Sequence, residues 1–269
     1  MKMNILLTFN KGYLKQATVL LKSILHAHPA DSFDVYVMNT ALLPEDYACI
    51  EEAIAHLNQG RLTLHDVKVS VEALKDAPIT KRYPKEMYFR IFAAHFLPEE
   101  LDRVLYLDPD LVVINPITGL YTMNLDGCYF IAASHVRKPL ETINAIRLRM
   151  EEPGPYINSG VMLIHLDALR KEQRLEQVYR YIEKHKNVLI LPDQDVISAL
   201  YGRYIRLVDP FIYNMSERQW IFNKGRYPWL SLSWIRKNSV VIHYCGRNKP
   251  WNEQYFGKLD MFYKHAQRL

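Results

Sequence analysis

The sequence predicts an α/β fold, a mostly parallel sheet with helices packed on its faces. Three observations carry this. The first half alternates short apolar runs with amphipathic stretches. Hydrophobic residues make up 49% of the 269 and charged residues 23%, enough apolar matter for a sizeable core. No internal repeat, low-complexity tract or linker interrupts the chain. Its length suits one large α/β domain or two small ones, and two intimately joined subregions fit better than two separable domains.

The elements follow in order. Asn4–Phe9 reads as a buried strand. Tyr13–Ala27 carries Leu14, Ala17, Leu21, Ile24 and Leu25 at helical spacing. Phe33–Asn39 is a second strand, and Pro44–Leu57 a helix opened by a proline suited to its first turn. Arg61–Val67 makes a third strand, Lys85–Phe96 a helix and Arg103–Leu107 a fourth strand. Such alternation implies right-handed crossovers. Beyond it, Cys128–Ala133 and Val161–Leu166 read as strands, Asp167–His185 and Gln194–Tyr201 as helices. Val240–Tyr244 is a late strand and Glu253–Gln267 a terminal helix.

Composition narrows the function classes. Cys49, Cys128 and Cys245 are far apart and form no CxxC pair, so neither a disulfide framework nor a zinc knuckle is expected, and a reducing cytoplasm is the simplest home. The apolar run Ile5–Phe9 is shorter than the roughly 7–15 residues of a signal-peptide core, and no segment approaches the ~20 apolar residues of a membrane span. The net charge is +5, yet from Met215 onward ten basic residues face three acidic ones, and all four tryptophans, Trp220, Trp229, Trp234 and Trp251, lie there too. Phosphate binding, loose attachment to an anionic membrane and local packing are the three uses of such a stretch. Nucleic acid is not expected, because no recognised binding motif accompanies the charge.

Ligands of such sheets bind beyond the carboxyl ends of the strands, where Asp108-Pro109-Asp110 follows Val104-Leu105-Tyr106-Leu107. An isolated DxD is short and frequent, and a solvated acidic turn explains many. Here the carboxylates interrupt a stretch that resumes as Leu111-Val112-Val113-Ile114. Unpaired buried carboxylates are expensive, and a divalent ion with open positions for water and phosphate removes the difficulty. His243 ends the apolar run Val240-Val241-Ile242. A hydrogen-bonded core histidine would look the same, but Gly246-Arg247-Asn248-Lys249 follows, a glycine permitting close approach to a phosphate and a point charge for it. Asp193-Gln194-Asp195, after Pro192, fits helix capping and also the hydroxyls of a sugar. Asn158-Ser159-Gly160 reads as a turn into a strand, and Arg90 as an arginine with its stem on apolar neighbours.

These segments, in this order, resemble the family 8 glycosyltransferases. The resemblance rests on Tyr88-Phe89-Arg90, the strand ending in Asp108-Pro109-Asp110, Tyr156-Ile157-Asn158-Ser159-Gly160-Val161, Asp193-Gln194-Asp195, and His243-Tyr244-Cys245-Gly246 through Lys249-Pro250-Trp251. That family comprises retaining enzymes of the GT-A fold, among them bacterial lipopolysaccharide galactosyl- and glucosyltransferases and the glycogenins. The resemblance implies a Rossmann-like mixed sheet flanked by helices, with residues 1–115 binding a nucleotide sugar and 116–269 forming an intimately joined acceptor side. It implies Asp108, Asp110 and His243 as ligands of Mn²⁺ (or Mg²⁺) and a UDP-hexose as donor. Gly246 and Lys249 would steady the diphosphate; Arg90, Asn158 and Asp193 would hold the sugar, with Pro109 between the ligands and Gln194 beneath the anomeric carbon. The first loop, Thr8, Phe9, Asn10, Lys11, Gly12 and Tyr13, would take the nucleoside, though family members often carry an aspartate there. Arg82, His135 and Cys245 would lie near a saccharide or glycolipid acceptor. Two other classes compete: a metal-dependent nucleotidyltransferase or phosphohydrolase, which calls for a glycine-rich basic first loop, and a non-catalytic sugar-nucleotide module, which calls for lost metal ligands.

Overall fold

A computed structural model describes residues 1–70, 86–136, 138–150 and 154–269. Arg82 and the first residue of the helix expected from Lys85 therefore lie outside the described residues. The chain opens with β1 (Lys2–Thr8), α1 (Leu14–Ala27), β2 (Ser32–Asn39), α2 (Pro44–Asn58) and β3 (Leu62–Lys68). A helical passage follows, α3 (Glu86–Phe89), a 3-10 turn and α4 (Ala93–Phe96), then β4 (Arg103–Leu107) and β5 (Leu111–Val113). Next come α5 (Thr118–Tyr121), β6 (Phe130–Ala133), α6 (Lys138–Arg147) and β7 (Asn158–His165). The rest comprises α7 (Leu166–Glu172), α8 (Leu175–His185), α9 (Pro192–Tyr201), β8 (Ile205–Val208), α10 (Pro210–Tyr213), α11 (Glu217–Asn223), α12 (Leu232–Asn238), β9 (Val241–His243) and α13 (Asp260–Arg268).

Seven strands form one mixed sheet in the order β3-β2-β1-β4-β7-β6-β8. The first four are parallel, β7 runs antiparallel to both its neighbours, and β8 is parallel to β6. Period-two alternation distributes the strands' side chains between two cores. Met3, Ile5 and Leu7 of β1, Leu105 and Leu107 of β4, and Val161 and Leu163 of β7 pack with α1 and α2. Leu6, Val104, Tyr106, Met162 and Ile164 point the other way, toward α3, α4 and α7–α9. Each fully buried aliphatic contributes ~1.5–3 kcal/mol, so the strands are held from both faces.

This topology delivers the site. β1 and β4 are neighbours and end on one edge, at Thr8 and Leu107. Because β7 is antiparallel, its first residues Asn158-Ser159-Gly160 reach that edge, with Val161 opposite Leu107 and the Asp108 N–H bonded to the Gly160 carbonyl at 2.8 Å. The small ribbon of β5 and β9 sets His243 opposite Leu111, one residue beyond Asp110.

Two expected helices differ. Asp167–His185 is broken at Gln173, which turns extended so that its buried side-chain amide donates to the Ile91 carbonyl at 3.0 Å and to the Tyr201 hydroxyl at 2.9 Å. The terminal helix begins at Asp260 rather than Glu253. The preceding loop is drawn instead onto buried Glu217, whose Oε2 accepts from Tyr255 Oη, Lys258 N and Leu259 N at 2.9, 3.0 and 2.8 Å. Gly257 sits there at φ 140°, and a β-carbon would collide with the Glu217 side chain. The aromatic C-terminal stretch packs largely on itself: Trp220 is buried with its N–H on the Leu230 carbonyl at 2.9 Å, while Trp229 and Phe222 remain exposed. Among the described residues no helix is long and apolar enough to cross a membrane.

Candidate active site

A cleft of about 480 Å³ lies along that edge of the sheet, walled by Thr8–Asn10, Gly12, Tyr13, Arg90, Asp108–Asp110, Asn158, Asp193, Gln194, His243, Cys245, Gly246 and Lys249. The expected residues thus converge from both halves of the chain. His135 is the exception. It stands behind the wall, its ring 6.5 Å from that of His243 and its Nε2–H on the Asn214 carbonyl at 2.8 Å.

Asp108, Asp110 and His243 each offer one ligand atom, all within 4.8 Å of one another. His243 Nε2 is 3.3 Å from Asp110 Oδ1 and 3.7 Å from Asp108 Oδ2. Its other nitrogen, Nδ1, is 2.9 Å from the side-chain oxygen of Asn214, an acceptor that takes the Nδ1–H and turns Nε2 toward the two carboxylates as the nitrogen that could bind an ion. Asn214, fully buried, passes its own N–H to Asn158 Oδ1 at 2.9 Å, and Asn158 Nδ2 donates to Gln194 Oε1 at 3.0 Å. One amide chain therefore ties the imidazole to Gln194. Gly160 makes room for this: a β-carbon there would stand 2.7 Å from Asp108 Oδ2 and 2.9 Å from His243 Nδ1.

Arg90 is no surface arginine. It is buried, its guanidinium 4.2 Å above the Tyr106 ring, with Nη1 2.9 Å from Asp108 Oδ1 and 3.1 Å from Asp193 Oδ2. Tyr106 donates its hydroxyl to Asp108 Oδ1 at 2.6 Å and receives the Thr8 hydroxyl at 3.0 Å. Ser159 Oγ donates to Asp193 Oδ2 at 2.5 Å. Burial raises the Asp193 carboxyl, and Arg90 offsets only part of this. Burial alone would also raise Asp110, but Lys249, which pairs with its Oδ2, leads the groups that outweigh it and hold the carboxyl well below the usual range.

The chemistry of this donor set fits a hard or borderline divalent cation: two carboxylates and one neutral imidazole nitrogen around a common point. The charge balance agrees. Among the described residues four carboxylates line the cleft, Glu86, Asp108, Asp110 and Asp193, against the cations Arg90 and Lys249.

In the first loop, Asn10 Oδ1 accepts the Gly12 N–H at 3.0 Å, which leaves its Nδ2 as the group to meet a ligand. Tyr13 stands edge-on to Trp251, ring centroids 6.3 Å apart, so the first loop and the loop carrying Lys249 meet. Asp195 serves structure rather than ligand: fully buried, it accepts two bonds from Arg147 at 2.9 and 2.7 Å, one from Tyr156 at 2.7 Å, and the N–H groups of Ile190 and Leu191 at 2.7 and 3.2 Å. Three contributors escaped the sequence reading. Asn214 and Tyr106 carry no local mark of their role, whereas Gly160, read as part of a turn and of a segment that carries the resemblance but given no role, stands two residues after Asn158 at a strand entrance.

Known proteins resemble this chain over most of its length. Residues 4–255 match the model of the family described as glycosyl transferase family 8. The lipopolysaccharide 1,2-glucosyltransferase of Escherichia coli (strain K12) is 28% identical over 267 residues, 98% of this chain and 77% of its own. The lipopolysaccharide 1,3-galactosyltransferase of Salmonella typhimurium is 26% identical over 261 residues, 93% of this chain and 73% of its own. The crystal structure of the galactosyltransferase LgtC in complex with donor and acceptor sugar analogs superposes with a TM-score of 0.82 at 23% identity, covering 99% of this chain and 95% of LgtC.

Proposed function

The chain belongs to glycosyl transferase family 8, has the GT-A fold and is a hexosyltransferase, and on that premise we propose that it moves galactose or glucose from a UDP-sugar to a glycan or glycolipid of the cell envelope, with retention and with Mn²⁺ at Asp108, Asp110 and His243. The observation that carries this reading is the convergence, in one cleft, of that three-ligand cluster with the polar groups of Asn158, Asp193 and Gln194. Residues 1–115 then serve chiefly the donor and 116–269 the acceptor, although Asn158, His243 and Lys249 reach back to the donor. The enzyme would work in the cytoplasm, and the relatives named above act on lipopolysaccharide.

The ion, when bound, supplies Lewis acidity toward the departing diphosphate. The chain's own residues do the rest. Lys249 and the N–H of Gly246, at φ 87°, face the phosphates. Arg90, ion-paired to Asp108 and Asp193, fixes the carboxylate that accepts sugar hydroxyls. Gln194 is a poor nucleophile, and both acceptor positions of its Oε1 are occupied, by Asn158 Nδ2 at 3.0 Å and Ser159 N at 3.3 Å. A double displacement through Gln194 is therefore disfavoured. Instead the UDP–sugar bond breaks, the acceptor hydroxyl attacks from the same face, and the leaving phosphate takes its proton. Gln194 stabilises the positive charge at the anomeric carbon.

The test is UDP release from a panel of UDP-sugars, with and without Mn²⁺, for the wild type and Asp110→Ala. Mn²⁺-dependent turnover of one hexose donor, abolished by the substitution, is expected. Turnover unchanged by chelation would remove the metal from the mechanism, and a mass-spectrometric glycosyl adduct on Gln194 would remove the same-face route.

A further inference from the structure

The α6 helix is turned inside out relative to an ordinary surface helix. Two of its polar members, Asn144 and Arg147, bond each other and face inward, Arg147 reaching buried Asp195 and the Val188 carbonyl at 2.6 Å, while Thr142 stays exposed. Its apolar members Leu140, Ile143 and Ile146, spaced three apart, are 51%, 58% and 74% exposed. The stripe continues onto the neighbouring loop through Val188 and Ile190, the latter 59% exposed. Scattered single apolar residues on a surface need no explanation, but a contiguous stripe does.

What lies beside the stripe identifies its partner. One helical turn past Ile146, and four residues before Val188, opens a recess of about 600 Å³ lined by Arg149, Arg180, Lys184 and Arg203, with no carboxylate lining it among the described residues. Arg149 holds a left-handed φ of 50° to stand at its rim. Lys186 is exposed beside the recess; Glu141 on α6 and Glu176 and Glu183 on α8 are the acidic residues of the two helices. An apolar ridge with a cationic recess along its edge matches the surface of a bilayer containing anionic phospholipid, whose acyl region takes the ridge and whose headgroups take the cations.

We propose that the face built from α6, residues 186–190 and this recess is a docking surface for an anionic phospholipid bilayer. It is rigidly coupled to the cleft. Asp195, two residues beyond Asp193, holds α6 through Arg147 and the stripe's loop through the Ile190 and Leu191 N–H groups, and Leu191 itself stands in the cleft wall. Docking through this face sets the sugar end of the cleft close to the bilayer, where a lipid-linked acceptor resides. That use rests on the glycolipid reading above; the binding does not. The contact thus falls on this face rather than on the C-terminal tryptophan region, where Trp220 is buried and Phe222, Trp229 and Phe256 are exposed.

Vesicle flotation without any sugar donor tests this, comparing phosphatidylcholine vesicles with vesicles containing phosphatidylglycerol. The wild type floats only with the anionic vesicles. Removing one cation, Arg149→Ala or Lys184→Ala, lowers binding about fivefold. The double substitution Ile143→Ser/Ile146→Ser lowers it more than about tenfold, with circular dichroism and melting temperature unchanged because both side chains are exposed. Phe222→Ser/Trp229→Ser leaves binding intact. Flotation of the Ile143/Ile146 variant together with loss in the Phe222/Trp229 variant would overturn the assignment. So would an absence of anionic binding by the wild type, or a dimer in light scattering that the Ile143/Ile146 substitution dissociates, which would make the partner a second copy.

Discussion

Gly160→Ala is the smallest change that should silence the metal centre. The added β-carbon would stand 2.7 Å from Asp108 Oδ2 and 2.9 Å from His243 Nδ1, and closer still to His243 Cε1. Neither neighbour can give way. Asp108 is pinned by Arg90 at 2.9 Å and Tyr106 at 2.6 Å, and His243 by Asn214 at 2.9 Å and by its pairing with Leu111. Overpacking of this kind costs about 1–3 kcal/mol. At about 2–4 °C per kcal/mol for a chain of this size the melting temperature should fall by a few degrees. Mn²⁺ affinity should fall more than proportionately, because imidazole and carboxylate are pushed apart; a loss of at least ~10–100-fold is what displaced ligand-orienting contacts alone produce. Titration calorimetry with Mn²⁺, UDP release and a thermal melt read the three effects. Gly154→Ala is the control. Its β-carbon would meet Gly202 Cα at 2.7 Å, a similar clash away from the cleft, so it should cost stability and spare metal affinity. Wild-type Mn²⁺ affinity in Gly160→Ala, or an equal loss in Gly154→Ala, would refute the reasoning.

Asn214→Leu leaves the His243 Nδ1–H without its acceptor and Asn158 Oδ1 with the Gly160 N–H alone, so Mn²⁺ affinity by calorimetry should drop about 10–100-fold; Asn214→Asp, which keeps an acceptor for the imidazole, should lose less. Glu217→Ala removes the acceptor of three donors in the loop behind Lys249, so KM for the donor should rise more than kcat falls, and an unchanged KM would deny that loop its part in donor binding. Asp66 gives a pH signature. Burial alone would raise its carboxyl, but bonds from Tyr47 Oη and Asn39 Nδ2, both 2.7 Å, and Lys68 at 3.0 Å hold it below its ordinary value. A depressed carboxylate stabilises the fold above its unfolded pKa of about 4 and ceases to as pH falls through the folded value. The fall in urea midpoint between neutral pH and pH ~3 should therefore be smaller in Asp66→Asn than in the wild type.

What was legible in the sequence is what disturbs a hydropathy pattern. β1 to β4 are apolar runs bounded by polar residues, and their strand types and edges follow from that. Asp108 and Asp110 were visible because charge breaks a run that would otherwise be core, and His243 because it ends one. Short or exposed elements leave no such trace. β8, Ile205–Val208, has no buried residue, and α6 carries its apolar residues on the outside, opposite to the rule by which a helix is placed. The break at Gln173 is a tertiary event, set by carbonyl and hydroxyl partners 82 and 28 residues away. The chain from His243 through Asn214 and Asn158 to Gln194 is hidden for a related reason. An amide whose donor and acceptor are both satisfied can be buried at little cost, so Asn214, between Tyr213 and Met215, breaks no pattern. Yet it bonds the His243 imidazole on one side and the Asn158 amide on the other. The proposed ion and sugar sites are consequently not independent: a change in imidazole orientation is passed to Gln194 through three hydrogen bonds between buried or half-buried side chains.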